Sequence, residues 1–446
     1  MQKNEILSQI QQVTRKGEWY LMKEPINDRT INEALQMYRN VKIPFIGRSI
    51  VLHSPIMLSS DNHLIVDEKQ VIMQAKGTCT CLMRNESIQD GAQGTTDVTK
   101  RDRNISVEGG IWNFRPKDRC YTDKEKSMIG SNGGVIFSGV EQISLKNMRI
   151  FDSEACGVGE NDASYGLQIG DCKHFCVENI DFEGNGRDGV HLNGPAEYGY
   201  IRHIRGEEMG DDMVALNAWD WNNAALTFGT IQKVVVEDVK GPGNELRLLP
   251  GQKIYDDGTK VDCDICDCVL QNISGAYTFK MYAQPNILNA EIGTKDVSGT
   301  VGKMERIAFK DICFAKVTPA GFNGLPVKSL FEICSDCSEV YIEDVQVSNT
   351  LEQCKEMDLR LVNVGPLSAV WKNGSDDPAD WGEVFDPDAI CTLDNLYLKN
   401  ISFQGIQVTD TKELVREVKM EINPNYPETT PRGGTGYGTI KRVYCR

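Results

Sequence analysis

The amino-acid sequence predicts an all-β protein, a right-handed single-stranded parallel β-helix with a short N-terminal capping helix. Three observations support this prediction. A short strand pattern recurs along the chain, a second set of strands keeps the same spacing, and a helix signal precedes both. A structural unit that repeats every 20 to 50 residues, roughly, is typical of solenoid proteins, in which each coil packs only on its neighbours.

The first pattern is a strand of alternating residues that ends in Asn or Asp, followed by one more apolar residue. It recurs at 143–148, 175–180, 199–204, 234–239, 268–273, 307–312, 340–345 and 396–401. Alternation with period two predicts strands and not helices. We interpret the Asn or Asp of each copy as a turn residue whose side chain bonds the backbone, with stacked copies forming a ladder. His203 would interrupt that ladder.

The second set of strands lies between these copies. Its members are residues 166–169, 189–192, 213–216, 245–248 and 278–281. In each segment the second and fourth residues are apolar and should face inward. The third should face outward and form a solvent-exposed column that consists of Gln168, His191, Ala215, Arg247 and Lys280.

The helix signal is the sequence Thr-Ile-Asn-Glu at 30–33, which predicts a capping box and a short helix over INEALQMYRN. Such a helix would cover the open end of the β-helix, whose strand edges would otherwise stay unpaired. We therefore expect an N-terminal segment with the capping helix (1–41), a β-helix domain (42–405) and a C-terminal cap or tail (406–446), where the periodicity fades.

Charge and composition limit the kinds of molecule that the protein can bind and the cellular compartment in which we expect it. The net charge is −16, which argues against nucleic acid, because proteins that bind phosphates are usually basic. No apolar run reaches the roughly 18–20 residues that span a membrane. The N-terminal sequence MQKNEILSQI lacks the apolar stretch of a secretory signal, and the 15 cysteines are scattered along the chain. Both features predict buried free thiols in a cytoplasmic protein. The alternative is a secreted protein whose signal peptide has been removed.

A polar cluster lies on adjacent coils of the second strand set. Asp188 precedes one strand, Asp211 and Asp212 precede the next, and a coil of about 23 residues places Asp188 directly below the pair. Stacked strands are about 4.8 Å apart, so the three carboxylates would share one patch. Like charges at this distance raise at least one pKa and supply an acid and a base together, as cleavage of a glycosidic bond requires. Trp219 and Trp221 follow the pair and offer apolar faces for a sugar ring.

These motifs resemble glycoside hydrolase family 28, the polygalacturonase-like enzymes of the pectin-lyase-like β-helix group. Arg-Asp-Gly at 187–189 is similar to the Asp-Gly part of the family's Asn-Thr-Asp-Gly motif. Gly-Asp-Asp at 210–212, followed by Val-Ala-Leu-Asn at 214–217, is similar to its paired-Asp segment. The similarity covers most of residues 25–285.

Two motifs of that family are missing. Where the family has Gly-His-Gly, this chain has Gly-Asn-Glu-Leu-Arg at 243–247. Where the family has Arg-Ile-Lys, this chain has Phe-Lys-Met-Tyr at 279–282. The resemblance therefore implies the reaction class but leaves the sugar open, either a pectin-like uronide held by Arg247 and Lys280 or a neutral sugar.

By this resemblance the chain would hydrolyse a glycosidic bond in an oligo- or polysaccharide with inversion, and without a metal or cofactor. Asp211 would be the general acid, while Asp188 and Asp212 would hold the attacking water. The residues that we expect to bind the carbohydrate are His191, Asn217, Trp219, Trp221, Glu245, Arg247 and Lys280.

Two other functions fit the same residues. A β-helix polysaccharide lyase, or a uronate epimerase, would use the acidic cluster to hold Ca²⁺ against a uronide while Arg or Lys abstracts a proton. A glycan-binding protein of the tailspike type would need no acidic triad on adjacent coils. Treatment of a glycan panel with and without a chelator separates the three functions.

Overall fold

The computed structural model of the chain forms two compact units. The N-terminal unit comprises Gln2–Leu216 and Asp220–Gly241, and the C-terminal unit comprises Met1, Asn217–Trp219 and Pro242–Arg446. The structure describes residues 3–76, 78, 81–88, 101–114, 134–151, 165–184, 187–207, 209–220, 225–255, 257–283, 287–288, 302–319, 327–366, 384–385, 389–408, 414–419 and 435–445. None of the helices within these ranges is long and apolar enough to cross a membrane.

Three helices occur in the described ranges, namely α1 (Lys3–Gln9), α2 (Asp28–Met37) and α3 (Leu351–Glu356). Helix α2 is the predicted capping helix and buries Ile31, Ala34 and Leu35. Its N-cap is Asn27, because the Asn27 side chain accepts a hydrogen bond from the backbone N–H of Thr30 at 3.0 Å. The side chain of Thr30 accepts from the backbone of Asn27 in return, also at 3.0 Å. The helix therefore begins earlier than predicted, and Thr30 closes the capping box from its third position.

The N-terminal unit consists mainly of parallel strands. They are β1 (Tyr20–Leu21), β2 (Asn40–Ile43), β3 (Ile50–Leu52), β4 (Ile56–Leu58), β5 (His63–Gln74), β6 (Met83–Asn85), β7 (Asp102–Asn113), β8 (Val135–Phe151), β9 (Leu167–Glu183), β10 (Val190–Asn193), β11 (Ala196–Glu207), most of β12 (Asp212–Asn217) and the first half of β13 (Ile231–Leu249). Each long strand pairs in parallel with its equivalents one coil away, as β8 does with β7 and β9. This stacking is that of the predicted parallel β-helix.

The C-terminal unit repeats the same construction. Its strands are β14 (Gly251–Ile254), β15 (Lys260–Cys263), β16 (Ile265–Cys266), β17 (Val269–Tyr282), β18 (Ile287–Leu288), β19 (Met304–Glu305), β20 (Ile307–Phe314), β21 (Ser329–Cys334), β22 (Cys337–Val347), β23 (Arg360–Val364), β24 (Val384–Phe385), β25 (Ile390–Phe403), β26 (Ile406–Gln407), β27 (Val415–Glu417) and β28 (Tyr437–Cys445). Strands β27 and β28 pair in parallel with β23 and β25. Strand stacking therefore continues past residue 405, where the sequence predicted a cap or tail, because a coil can form there without the repeated motif. The division of the chain at 41 and 405 stays a prediction.

The inward side of the second strand set is the core of both units. Its predicted inward residues are all buried, and they are Leu167, Ile169, Val190, Leu192, Val214, Leu216, Leu246, Leu248, Phe279 and Met281. The predicted exposure of the outward column is wrong in the N-terminal unit. Gln168, His191 and Ala215 are only 3%, 1% and 0% exposed.

The Asn and Asp residues of the first pattern lie within the long strands, at positions where the backbone adopts the left-handed conformation that is typical of turns. All eight positions have φ between 51° and 57°, a region that Asn and Asp tolerate better than other residues. Their side chains bond from coil to coil, for example from Asn179 to Asn147 at 2.9 Å. The expected interruption at His203 is wrong, because His203 Nδ1 lies 2.6 Å from an oxygen of Asp238 and continues the ladder.

An N-terminal strap, residues 10–18, crosses the turns of successive coils in the N-terminal unit. The backbone N–H of Thr14 donates to the side chain of Asn104 at 2.8 Å, and the Asn104 amide donates back to the Thr14 carbonyl at 2.9 Å. Gln11 bonds His174 through its backbone, and the side chain of Asn40 donates to the carbonyl of Lys16. The sequence did not predict this strap, because its contacts depend on side chains that are distant in the chain.

Candidate functional site

The acidic cluster predicted from the sequence is present in the N-terminal unit. One carboxylate oxygen from each of Asp188, Asp211 and Asp212 lies within 4.8 Å of the others, and no other such group of potential metal ligands occurs among the described residues. Asp188 and Asp212 are buried, whereas the side chain of Asp211 is 25% exposed. Asp211 is therefore the most accessible member of the cluster.

Stacking of adjacent coils places the three carboxylates together. The backbone N–H of Gly189 donates to the carbonyl of Asp212 at 3.0 Å, and the backbone N–H of Asp212 donates to Asp188 Oδ1 at 3.3 Å. A Cβ atom at Gly189 would lie 2.8 Å from the carbonyl oxygen of Met213. The glycine after Asp188 therefore permits the close approach that brings the two Asp motifs into contact.

A cation accompanies the exposed carboxylate. Arg187 Nη1 lies 3.9 Å from Asp211 Oδ2, and the Arg187 side chain is 38% exposed. At this distance and exposure the pair is a weak ion pair that solvent screens. It leaves the Asp211 carboxylate accessible to a ligand.

The imidazole of His191 lies between two buried carboxylates. Its Nδ1 is 2.6 Å from Asp188 Oδ2, and its Nε2 is 2.7 Å from Asp220 Oδ2. Burial favours the neutral ring, but the charges and hydrogen bonds of Asp220 and Asp188 outweigh it and raise the pKa of His191 to about 10. The ring is consequently an imidazolium at neutral pH and donates from both nitrogens. The prediction that His191 is exposed on an open face is wrong.

The segment 225–230 covers this part of the column. Leu226 packs with Ile136 in a buried cluster, and its backbone N–H donates to the side chain of Asn193 at 3.0 Å. A Cβ atom at Gly194 would lie 1.7 Å from the carbonyl oxygen of Gly229, so the segment and the coil touch through glycine. The apolar sequence Ala-Leu-Thr-Phe at 225–228 was the signal for this cover.

An aromatic ring lies against the imidazolium. The ring centroids of Tyr165 and His191 are 4.1 Å apart with an interplanar angle of 34°. Burial, and then the negative charges of Asp220 and Asp188, raise the pKa of Tyr165 well above its ordinary value. Tyr165 is therefore a neutral phenol that supplies an apolar face to the ring.

Two predicted substrate-binding residues, Glu245 and Lys280, contact each other in the C-terminal unit. The Lys280 ammonium forms an ion pair with Glu245, and the buried Glu332 lies opposite Lys280 on the neighbouring strand. Tyr282 donates a hydrogen bond to Glu332 at 3.2 Å. Lys280 therefore already has a carboxylate partner within the chain, which reduces its value as a site for a substrate carboxylate.

The remaining predicted binding residues differ in their exposure to solvent. Asn217 is buried at the end of β12, and Trp219 is only 7% exposed, with its backbone N–H bonded to the carbonyl of Leu249 at 3.1 Å. Arg247 is partly exposed on β13. Trp221 lies outside the described residues. The substrate-binding role of these side chains stays a prediction.

Sequence reasoning missed three residues beside the cluster, namely Asp220, Asn193 and Tyr165. Asp220 stands between the two tryptophans that we interpreted as sugar platforms, and the acidic residue itself was passed over. Asn193 ends the same strand that carries His191, two residues further on, so its position on the outward side was available from the alternation. No sequence signal identified Tyr165.

The chain matches no protein-family profile, and no curated protein matches its sequence. Several solved structures are similar to it. They include an exopolygalacturonase from Thermotoga maritima, with 12% identity, 91% of this chain and 96% of that chain covered, and a TM-score of 0.48. A family 28 exopolygalacturonase from Yersinia enterocolitica has 11% identity, covers 86% and 76%, and has a TM-score of 0.44. PfbA, a surface adhesin of Streptococcus pneumoniae, has 13% identity, covers 92% and 91%, and has a TM-score of 0.45. Two enzymes and one adhesin occur among them, so a function for this chain has to be argued from its own residues.

Proposed function

We propose that this chain is a glycoside hydrolase whose catalytic carboxylates are Asp188, Asp211 and Asp212. The observation that carries the proposal is the approach of these three carboxylates to within 4.8 Å, with Asp211 facing solvent. A pair of carboxyl groups, one protonated and one ionised, is what hydrolysis of a glycosidic bond requires.

The exposure of each carboxylate suggests its role. Asp211 is the general acid, because it is the accessible member and can reach the oxygen of the leaving sugar. Asp188 and Asp212 lie behind it and orient the water that attacks the anomeric carbon. The substrate class is an oligo- or polysaccharide, and the charge of its sugar is decided by experiment below.

The spacing within the cluster bears on the stereochemistry. Acid and base in inverting glycosidases are typically about 6.5–9.5 Å apart, and the pair in retaining enzymes about 5–5.5 Å. The oxygens of this cluster come within 4.8 Å of one another, but this is a distance between single oxygens and not between carboxyl groups. Inversion therefore rests on the resemblance to family 28. Proton NMR of the first-formed anomer of the product decides between inversion and retention.

The test of the proposed function is the release of reducing ends from a panel of acidic and neutral oligosaccharides. The panel contains oligogalacturonides, neutral gluco-oligosaccharides and chromogenic glycosides of both classes. Asp211→Asn should lower kcat by about 10²–10⁴-fold, the usual effect of removing a general acid. The variant should still fold, because Asp211 is partly exposed at the edge of a coil.

The matched control is Asp181→Asn, which changes an exposed Asp on β9 in the same unit. This control should keep wild-type activity and stability. A folded Asp211→Asn protein with wild-type activity would show that the proposed acid is wrong. A wild-type chain that cleaves no member of the panel would contradict the proposed function as a whole.

A polysaccharide lyase is the second candidate, and the same cluster favours it. Three carboxylate oxygens within 4.8 Å of one another form an arrangement that suits Ca²⁺, which prefers oxygen ligands. In that reaction the products are unsaturated uronides, which absorb in the near ultraviolet, and a chelator abolishes activity. Hydrolysis produces no such absorbance.

A further inference from the structure

A buried chain of charged groups leads from the segment after β12 to the proposed catalytic cluster. Asp220 accepts a hydrogen bond from one nitrogen of His191, and Asp188 accepts one from the other. All three side chains are at most 4% exposed. Hydrogen bonds between charged partners in a buried setting are short and strong, and they fix the geometry of the groups that they join.

Asp188 is held at both of its oxygens. Its Oδ2 faces His191, and its Oδ1 accepts the backbone N–H of Asp212 at 3.3 Å. The rotation of the carboxylate about its own axis is therefore fixed. Since Asp188 is one of the two carboxylates proposed to orient the water, this rotation sets the direction of its lone pairs.

Asp220 is held in place from the other side by Asn193. The Asn193 amide donates to Asp220 Oδ2 at 3.3 Å. The carbonyl oxygen of Asn193 accepts from the side chain of Gln168 at 3.1 Å and from the backbone of Leu226 at 3.0 Å. Asn193 thus ties the coil that carries His191 to the segment that follows Asp220.

We propose that Asp220 and His191 are positioning residues that fix the orientation of Asp188 in the catalytic cluster. This inference rests on the proposed function, because it assigns Asp220 a part in the same reaction. Neither residue needs to touch the substrate, since both act through Asp188. If the role of Asp220 and His191 were purely structural, the two side chains would only neutralise each other's charge. Their replacement would then leave turnover unchanged in a folded protein.

The variant Asp220→Asn separates the two roles. The amide has nearly the same shape as the carboxylate, so the side chain still fits, but the uncharged amide holds the His191 ring less firmly and allows His191 and Asp188 to shift. Misplacement of a catalytic group by about 1 Å can lower the rate on the order of 10²-fold. We therefore expect kcat to fall by this factor on the panel glycan that the wild-type chain cleaves fastest, with little change in KM.

The matched control is Asp171→Asn in the same unit. Asp171 is also fully buried and forms an ion pair, with Arg101, but it has no contact with the cluster among its described interactions. Thermal unfolding of both variants separates any loss of stability from a loss of kcat. The control should keep wild-type kcat, whereas Asp220→Asn should not.

If Asp220→Asn does not fold, Asn193→Ser provides the same test in a milder form. This change removes the amide that donates to Asp220 and leaves both carboxylates and the imidazole in place. It should lower kcat in the same direction, by about 10-fold or less, with KM again little changed. Wild-type kcat in a folded Asn193→Ser protein would then overturn the inference.

Asp211→Asn, assayed beside these variants, distinguishes failure of the inference from failure of the proposed function. A folded Asp220→Asn protein with wild-type kcat, beside an inactive Asp211→Asn protein, would overturn the positioning role and leave the hydrolase intact. Wild-type activity in the Asp211→Asn protein would show that Asp211 is not the general acid. Equal losses of kcat in Asp220→Asn and Asp171→Asn would show that the loss in Asp220→Asn comes from general destabilisation, and this result would overturn the positioning role.

Discussion

The buried Glu332 of the C-terminal unit should make the stability of the protein depend on pH in a predictable direction. Burial, opposed by Lys280 and reinforced by Glu245, raises the pKa of Glu332 from its ordinary value of 4.5 to about 7. In the unfolded chain the glutamate loses its proton near pH 4.5, but in the folded protein it keeps the proton until about pH 7. Between these values the folded state binds more protons, so the free energy of unfolding falls as the pH rises.

The size of this effect follows from the two pKa values. One pKa unit corresponds to about 1.4 kcal/mol, so the full difference between folded and unfolded states is about 3 kcal/mol. Most of it, about 2–3 kcal/mol, is lost between pH 5 and pH 8. Glu332→Gln removes the titrating group and keeps an oxygen that can accept the hydrogen bond from Tyr282. The free energy of unfolding of the variant, relative to that of the wild type, should therefore rise by about 2–3 kcal/mol between pH 5 and pH 8.

Urea unfolding of both proteins at pH 5 and pH 8, followed by circular dichroism, measures this change. The control is Glu356→Gln, which alters an exposed glutamate on α3 in the same unit and should behave as the wild type at both pH values. Buried acids that do not interact with Glu332 cancel in the comparison, since wild type and variant share them. A stability difference between Glu332→Gln and the wild type that is the same at pH 5 and pH 8 would refute the reasoning.

Three further predictions follow from the site and the fold. If the chain is a hydrolase, dialysis against EDTA should leave the release of reducing ends unchanged; loss of activity that Ca²⁺ restores, with unsaturated products, would identify the lyase. If the substrate is a uronide, Arg247→Ala should lower kcat/KM on that substrate by a factor that corresponds to about 2–3 kcal/mol of transition-state stabilisation, and by a smaller factor on a neutral analogue. Equal losses of kcat/KM on both substrates would exclude the uronide. Asn104→Ala should destabilise the protein by about 2–4 kcal/mol in urea unfolding, because it removes two hydrogen bonds to Thr14 and a side chain suited to φ near 56°.

The recurring strand patterns were sufficient to predict the fold. Period-two alternation and the recurrence of the strand motif determine which side chains enter the core and which strands pair, although the length of the coils varies. Each coil can bury its apolar residues only against the next. Leu167 and Val190, for instance, were expected to lie in register one coil apart, and they do. The same periodicity predicted that Asp188 would meet Asp211 and Asp212.

The prediction failed where a segment outside the repeat folds back over it. His191 was expected to be exposed because the alternation directs its side chain outward, yet Asp220 and the segment 225–229 cover that face. The repeat carries no information on the path of an insertion between two coils. For the same reason the sequence did not predict the N-terminal strap or the ion pair between Asp220 and His191.

The charges found near the predicted binding residues bear directly on the nature of the sugar. A uronide needs a cation whose charge is not already neutralised within the chain. His191 is held between Asp188 and Asp220 in the N-terminal unit, and Lys280 is paired with Glu245 in the C-terminal unit. Each pair would have to be broken, at a cost comparable to the gain from binding a carboxylate, before either cation could serve a substrate. Two other cations are more accessible to a sugar carboxylate, namely Arg187, whose pair with Asp211 is weak and screened, and the partly exposed Arg247. The comparison of Arg247→Ala on acidic and neutral substrates therefore decides between a uronide and a neutral sugar.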